Sequence, residues 1–450
     1  MTEVQEPKTS RLAALRNALE QGSLRHGHRL VNSMHPAEIA SLIESLPPAR
    51  REIVWEFVDP EIEGDVLIEL NEEVRAELIG GMDADELIAA TEGMEVDDLA
   101  DLIGDLPETL NERVLHSMDA QDRERLSAVM GFEEDSAGGL MNLDAVTVRP
   151  DVTLEVVLRY LRMRGEMPAR TDQLFVVNRH DKYRGALDLT RLLTEEPEKT
   201  VGEVMDSGIE GIAPETPARE VAKLFEDRDL VSAAVVTSDG KLLGRITVDD
   251  VVDVIREEAD HSVMSMAGLG EDKDMFAGVV TSARRRAVWL SVNLATAFLA
   301  ANVVGLFEAT IEKVVALAVL MPIVASMGGI AGSQTLVLII RGLALGQIEQ
   351  SNARWLLIRE ILVGLLNGVA LSSIVAVAAG IWFETWTIGL IIFSALMINL
   401  FSAALAGVGV PLMLKRMGID PALAGGVILT TVTDTVGFAS LLGLGTLFLT

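Results

Sequence analysis

Four stretches without a charged residue constrain this chain more than anything else in it: Ala287–Phe307 (21 residues), Val314–Ile340 (27), Ile361–Phe383 (23) and Thr385–Leu414 (30). Each exceeds the ~20 residues that carry a helix across the hydrocarbon core of a bilayer. A fifth stretch, Pro421–Thr450, is broken only by Asp434. A large soluble protein can bury such helices, but five in series with biased loops read as five membrane spans. The bias lies in the flanking bases. Arg284, Arg285, Arg286, Arg341, Arg354, Arg359, Lys415 and Arg416 share one side and only Lys313 falls on the other. By the positive-inside rule the long N-terminal part is cytoplasmic and the C-terminus is outside, the expected setting being a bacterial-type plasma (inner) membrane.

Ahead of the spans the composition changes. Residues 276–450 hold 7 acids and 9 bases, whereas residues 1–275 hold 60 acids and 28 bases, about -32 of a total of -30. So acidic a region is a poor partner for nucleic acid, whose phosphates need clustered Lys and Arg, and a natural partner for cations. With no Cys, disulfides, thiolate metal sites and Cys nucleophiles are excluded, and the six His show no zinc-like spacing. Residues Met1 to Ser10 are polar, with no apolar signal-peptide core. No Walker-type phosphate loop is present to support ATP hydrolysis.

The acidic part contains two repeats. An apolar residue followed by a turn or cap residue recurs every 12 positions: Met34-His35, Leu46-Pro47, Val58-Asp59, Leu70-Asn71, Met82-Asp83, Met94-Glu95, Leu106-Pro107 and Met118-Asp119. Asp, Asn and Pro start helices, so each unit predicts one short helix, such as Ala84–Thr91 or Asp97–Ile103, stacked on its neighbours in a solenoid. The acids of this region are also what a solvated outer face looks like. The second repeat aligns Asp172–Leu193 with Val231–Val252 at an offset of 59, so that Val176-Val177 matches Val235-Val236 and Gly185 matches Gly244. Each copy reads strand, turn, strand, helix, with upstream helices at Leu154–Met163 and Ala218–Asp227. This resembles a tandem pair of cystathionine-β-synthase-type (CBS) domains, small α+β modules. The resemblance implies an adenine nucleotide site where a Gly-x-x-Thr-x-x-Asp pattern holds the ribose. Gly244, Thr247 and Asp250 fit it in the second copy, while the first has Asp188 and Arg191 at the matching places. Many such pairs are structural or sense ions instead.

Residues Val251–Met266 contain no Pro or Gly, and Val251, Val254, Ile255, Ala259 and Val263 fall at helical spacing, with Glu257, Glu258 and Asp260 toward another side. One stiff helix joining the acidic part to the first span suggests a gate, or a solvated spacer.

In the membrane part a single carboxylate demands a reason, because a charge at mid-span costs roughly 2.5–3.5 kcal/mol by insertion measurements. Asp434 lies 13 residues after Pro421, or about 20 Å along a helix, close to mid-membrane. Thr430 and Thr431 precede it by one turn and Gly437 follows. Hydroxyls and a carboxylate on one stripe suit a hydrated hard cation, with Asp434, Thr430 and Thr431 as its ligands; a protonated or internally paired Asp would instead hold helices together. The second span is also irregular, with Pro322 and then Ser326-Met327-Gly328-Gly329-Ile330-Ala331-Gly332-Ser333-Gln334 inside an apolar run. Such glycines either let helices approach closely or free carbonyls to line a pore.

The order of helical acidic repeat, CBS pair, acidic helix and five spans resembles the MgtE family of magnesium channels over essentially the whole chain. The matching segments are Glu133-Glu134-Asp135-Ser136-Ala137-Gly138-Gly139-Leu140-Met141, Thr247-Val248-Asp249-Asp250-Val251, Gly328-Gly329, Gln334, Leu338-Ile339-Ile340-Arg341, Asp420-Pro421-Ala422-Leu423 and Asp434. The resemblance implies a multidomain membrane protein and not an enzyme. It would comprise an N-terminal segment (1–33), an all-α superhelical repeat domain (34–132), an α+β CBS tandem (138–252), a connecting helix and linker (253–283) and a five-helix transmembrane domain (284–450) forming a dimeric pore. It further implies a homodimer in membrane lipid that passes Mg²⁺ between facing Asp434 side chains and closes when cytoplasmic Mg²⁺ binds acids such as Asp249, Glu257, Glu258 and Asp260. Another divalent cation, Co²⁺ or Mn²⁺, and a membrane-tethered ion or nucleotide sensor are the alternatives. The chain departs from the family at Ile330 and Ser333, where Asn is common, and at Gly426-Val427, where Asn-Pro is common. Fewer amides there predict weaker discrimination against Co²⁺, Mn²⁺ and Ca²⁺, unless these positions face neighbouring helices.

Overall fold

The computed structural model describes residues 24–92, 94–104, 106–269, 274–348 and 351–450, so most of the N-terminal segment and residues 270–273 of the linker lie outside the described residues. The described residues up to Ala259, with those of Lys273–Gly278, form one compact unit; those of Asp260–Asp272 and Val279–Thr450 form a second.

In the first unit the 12-residue spacing becomes a stack of short helices: Pro36–Glu44, Pro48–Trp55, Glu63–Ile68, Glu72–Ile79, Ala84–Ala90, Val96–Gly104, Glu108–Ser117 and Ala120–Val129. The cap residues explain the starts. Asp83 Oδ1 accepts from the Asp85 and Glu86 amides at 2.9 Å while Glu86 reaches back to the Asp83 amide, a capping box. Asn71 caps its helix through the Val74 amide, 3.1 Å away. One start differs from the spacing. After Val58-Asp59 the helix begins only at Glu63, because Pro60 and a turn closed by the Ile62 amide on the Asp59 carbonyl (2.9 Å) intervene. Each helix is too short to stand alone, so stability comes from one continuous core, including Ile39, Ile43, Leu67, Leu87, Leu102 and Ile103.

The two α+β copies follow. Strand β1 (Thr147–Val148) pairs parallel with β2 (Gln173–Val177), which pairs antiparallel with β3 (Tyr183–Asp188); β4 (Ser232–Val236) pairs antiparallel with β5 (Leu242–Thr247). The 59-residue offset is exact in the ladders. Val176 faces Gly185 as Val235 faces Gly244, and both hairpins carry an irregularity at the next residue. Equivalent positions also meet one another, the Gln173 amide donating to the Ser232 carbonyl at 2.9 Å. The flanking helices are Leu154–Arg164 and Ala218–Arg228, within a residue of expectation.

The linker segment past the connecting helix belongs to this unit through a buried clasp. Arg51, 1% exposed, donates from Nη1 and Nη2 to the two Asp274 carboxylate oxygens at 2.8 and 2.7 Å and from Nη1 to Glu77 at 2.8 Å. The connecting helix itself spans Val248–Met266, starting three residues before the apolar pattern does. Thr247 and Asp250 account for that: the Asp250 carboxylate accepts from the Thr247 amide at 3.3 Å, closing the helix start. Its other end turns through Gly268 at φ 71°, with the Leu269 amide on the Met264 carbonyl at 2.8 Å.

The second unit holds five helices long and apolar enough to cross a membrane: Val279–Gly305, Val315–Ala344, Ala353–Trp382, Trp386–Arg416 and Pro421–Leu449. The fourth sits at the centre, packed on the second, third and fifth, and the first packs on the fifth. The second and fifth run antiparallel. A Cβ on Gly445 would strike Leu317, one on Gly437 would lie 3.0 Å from Val324, and one on Gly332 would lie 2.8 Å from Leu429. This register puts Asp434 level with Met327 and Gly328, at the middle of both helices.

Candidate functional site

Asp434 is half-buried, and no basic side chain or hydrogen-bond donor among the described residues pairs with it. Among the described residues, then, Asp434 bridges no two helices through a paired side chain. The hydroxyls of the preceding turn are already spent as donors on the helix: Thr430 to Gly426 O at 2.8 Å and Thr431 to Val427 O at 2.7 Å. What remains on them is acceptor lone pairs, which suits a cation or the hydrogens of its water shell. Thr433 and Gly437 on the same helix are buried against its neighbours, so Asp434 sits at the margin of the packed face rather than within it.

The second span settles its own ambiguity by face. The helix is unbroken from Val315 to Ala344, and Gly328 and Gly332 are packing glycines set against Asn399 and Leu429. The polar side chains point the other way: Ser326, Ser333 and Gln334 are exposed within the single chain, and so is the apolar Ile330. A Cβ at Gly426 would meet nothing within 4 Å. Of the departures from Asn, Ile330 and Ser333 are thus exposed, and Gly426, though partly buried, leaves room for a side chain. One buried charge escaped the sequence reading because it delimits an uncharged run. Glu360, 6% exposed in the third span, accepts from Thr335 at 3.2 Å and from Arg359 at 2.7 Å, a satisfied pair.

The first unit carries the opposite arrangement, a crowd of acids. The helix Val96–Gly104 brings Asp97 and Asp98, its entry brings Glu95, the end of Glu63–Ile68 brings Glu69, and the first turns of the connecting helix bring Asp249, Asp250 and Asp253. Burial first, and then Asp250, Asp98 and Glu95, push the Asp97 carboxyl up to about 8. Burial and Asp249 push Asp250 to about 7 despite its bonds from Thr247, and burial with Glu95 and Asp249 pushes Asp98 to about 6. Glu69 and Asp253 are raised too, burial leading in both. Against them stand Arg170, bonded to Asp249 at 2.6 Å, and the Asn142 amide on Glu95 and Asp97. Among the described residues no three carboxylates converge into a ready-made metal cage. The arrangement is one of mutual repulsion awaiting a counter-charge.

Of the expected regulatory acids, Asp249 lies in this cluster. Glu257, Glu258 and Asp260 lie further along the helix, Glu257 and Asp260 exposed and Glu258 bonded to Arg219 at 2.9 Å. Of the expected nucleotide residues, Thr247 donates to Asp250 at 3.1 Å, and Gly244 lies under the Asn142 backbone, where a Cβ would come within 2.6 Å of its carbonyl. Glu69, Asp97, Asp98 and Asp253 were not singled out from sequence. Among acids at this density, only proximity in the fold distinguishes them.

Three family models match the chain in the same order. A divalent cation transporter model covers residues 321–444, an MgtE intracellular N domain covers 34–135, and CBS domains cover 137–198 and 201–257. The magnesium transporter MgtE of Thermus thermophilus is 30% identical over 441 residues, 97% of this chain and 98% of that protein. The magnesium transporter MgtE of Bacillus subtilis is 28% identical over 431 residues, 96% of each. The crystal structure of the cytosolic domain of the Mg²⁺ channel MgtE in complex with ATP is 30% identical with a TM-score of 0.49, covering 54% of this chain and 99% of that one. From end to end, then, this chain belongs to the MgtE family of magnesium transporters, membrane proteins and not enzymes.

Proposed function

We propose that the protein is a homodimeric Mg²⁺ channel of a bacterial-type inner membrane, with its N-terminus in the cytoplasm and its C-terminus outside. The observation that carries the reading is Asp434: a carboxylate at the middle of the fifth span, half-buried, with no counter-charge among the described residues. Mg²⁺ sheds water reluctantly and is held by one or two carboxylates with most of its waters kept. Two Asp434 side chains facing each other across a two-fold axis provide that, with the Thr430 and Thr431 oxygens accepting from the water shell. The exposed polar face of Ser326, Ser333 and Gln334 and the open Gly426 supply the rest of the wall. A second copy also accounts for apolar side chains left in the open on the first α+β copy, Val156, Tyr160, Met163 and Leu193. Mg²⁺ flux into proteoliposomes tests the assignment. The Asp434→Ala protein should be dimeric and folded but silent, and wild-type uptake by it would refute the pore site.

Gating follows from the acid cluster. Glu69, Glu95, Asp97, Asp98, Asp249, Asp250 and Asp253 come from two repeat helices and the connecting helix, and they repel when ionised and unaccompanied. Divalent cations bridging them through water favour the closed-up arrangement and hold the connecting helix in its place against the first unit. The ion thus binds two states unequally, which is what a switch requires. Glu257, Glu258 and Asp260 extend the acidic surface along the same helix. An adenine nucleotide at Gly244, Thr247 and Asp250 would bind by taking over the Thr247–Asp250 bond, and isothermal titration of the full-length protein with ATP, with Thr247→Ala as control, tests it. Removing residues 1–250 should leave a channel that high internal Mg²⁺ no longer shuts.

A further inference from the structure

The fourth span contains one side-chain amide, Asn399, in the middle of a largely apolar helix, at position 14 of 31. It has no exposure at all. Its Nδ2 donates to the Val324 carbonyl of the second span at 2.8 Å. Its Oδ1 is buried and makes no hydrogen bond among the described residues. Two glycines make room for it. A Cβ on Gly328 would collide with Nδ2, and one on Gly437 would come within 2.7 Å of the same atom. One amide is therefore wedged where the second, fourth and fifth spans meet, level with Asp434 and one turn from it through Gly437.

An apolar residue would fill this space without placing an unmatched oxygen in the membrane interior, where no water stands by to satisfy it. What the amide adds is direction. It holds the second span by a backbone atom and the fifth by close contact at a glycine, fixing how far Asp434 stands from the Ser326–Gln334 face. We propose that Asn399 is a positioning residue for the Asp434 ion site and sets its discrimination by ion size; this rests on the reading of Asp434 as the pore carboxylate. Mg²⁺ holds oxygens at about 2.0–2.1 Å in a strict octahedron, whereas Ca²⁺ accepts about 2.3–2.6 Å in looser shells, so a site whose walls drift admits the larger ion first.

Three variants separate direction from filling. Asn399→Leu keeps the volume and removes the amide. Gly328→Ala keeps the amide and pushes it off Val324. Asn399→Ala combined with Gly328→Ala refills the space with no amide. Each is measured for Mg²⁺ uptake into proteoliposomes, with Ca²⁺ and Mn²⁺ as competitors, alongside thermal unfolding. Asn399→Leu should raise KM for Mg²⁺ about tenfold, the low end of what loss of an outer-shell partner does at a metal site, and let Ca²⁺ compete at correspondingly lower concentration while maximal uptake persists. Gly328→Ala should do the same, and it carries the test if Asn399→Leu does not fold. The double variant should regain wild-type unfolding and keep the altered competition. Wild-type KM and competition in Asn399→Leu, or their full recovery in the double variant, would reduce Asn399 to packing and overturn the proposal. Asp434→Ala in the same assay keeps the two ideas apart. If it conducts like wild type, the pore reading fails; if it is silent while the Asn399 variants match wild type, only the role of Asn399 fails.

Discussion

Both units take carboxylates out of water, and they do it in opposite ways. The first gathers seven acids from three helices around one Arg and one Asn, and burial and crowding make three of them, Asp97, Asp98 and Asp250, hold protons well above the usual carboxylate range. The second places one acid at mid-span with no partner among the described residues and sets beside it hydroxyls already committed as donors. The difference teaches what each can do with a cation. A crowd of acids changes shape when neutralised, because repulsion is shared over several elements. A solitary acid changes nothing when an ion arrives, and a weak, hydrated contact lets the ion leave. The crowd is suited to sensing and the solitary acid to passage.

The largest expected effect falls on the solitary acid. Asp434→Asn keeps size and polarity but removes the charge, and Mg²⁺ uptake should drop by about a hundredfold or more, as loss of a metal's own ligand does more than loss of an outer partner. Retained uptake would mean that passage, too, relies on distributed groups, and the contrast would collapse. Next comes Arg51, the most deeply buried arginine among the described residues of the first unit. Arg51→Met deprives buried Asp274 of its bidentate partner and should cost that unit about 3–5 kcal/mol, read as a lower unfolding transition in calorimetry of the full-length protein. An unchanged transition would show that the clasp on the linker is dispensable.

A smaller effect tests neutralisation directly. Asp98, Asp250 and Asp97 are held at about 6, 7 and 8, above the ~3.9 of an unfolded carboxylate. The folded unit therefore binds protons that the unfolded chain has released. Their stabilising contribution is complete below about pH 4 and is lost as pH rises through the folded-state values. Mg²⁺ should raise the unfolding temperature of the first unit by several degrees at pH 8, at roughly 2–4 °C per kcal/mol, and hardly at pH 5. Equal shifts at both pH values would place the ion elsewhere. The smallest effect concerns the pore wall. Ser333→Asn with Gly426→Asn should sharpen the preference for Mg²⁺ over Co²⁺ and Mn²⁺ in competition by about threefold, within the range of one outer-shell contact. Identical competition curves would remove these open positions from selectivity.

Much of this molecule is legible as a string. Uncharged runs give the spans to within a few residues at most ends, because a helix in hydrocarbon must be long and apolar whatever surrounds it. The first and third helices each begin eight residues earlier than their runs, at Val279 and Ala353, since helix and bilayer need not end together. The 12-residue repeat and the 59-residue offset appear in the structure as helix starts and matched ladder positions, for caps and strand registers are local. Asp434 announces itself by standing alone. Glu69, Asp97 and Asp253 do not, being three acids among 60 in that region, and their meeting depends on how a solenoid stacks against a distant helix. Asn399 lay in plain sight inside Thr385–Leu414 and could have been found as a lone amide in an apolar run.

The sequence by itself determined where the chain is apolar, where helices start, and that one carboxylate lies at mid-span, since each depends on a residue and its near neighbours. Only the tertiary structure decided which glycines pack and which leave space, which acids repel one another, and that Asn399 joins three spans. Those are distances between residues far apart in the chain, and a distance has no energy until packing brings its two ends together.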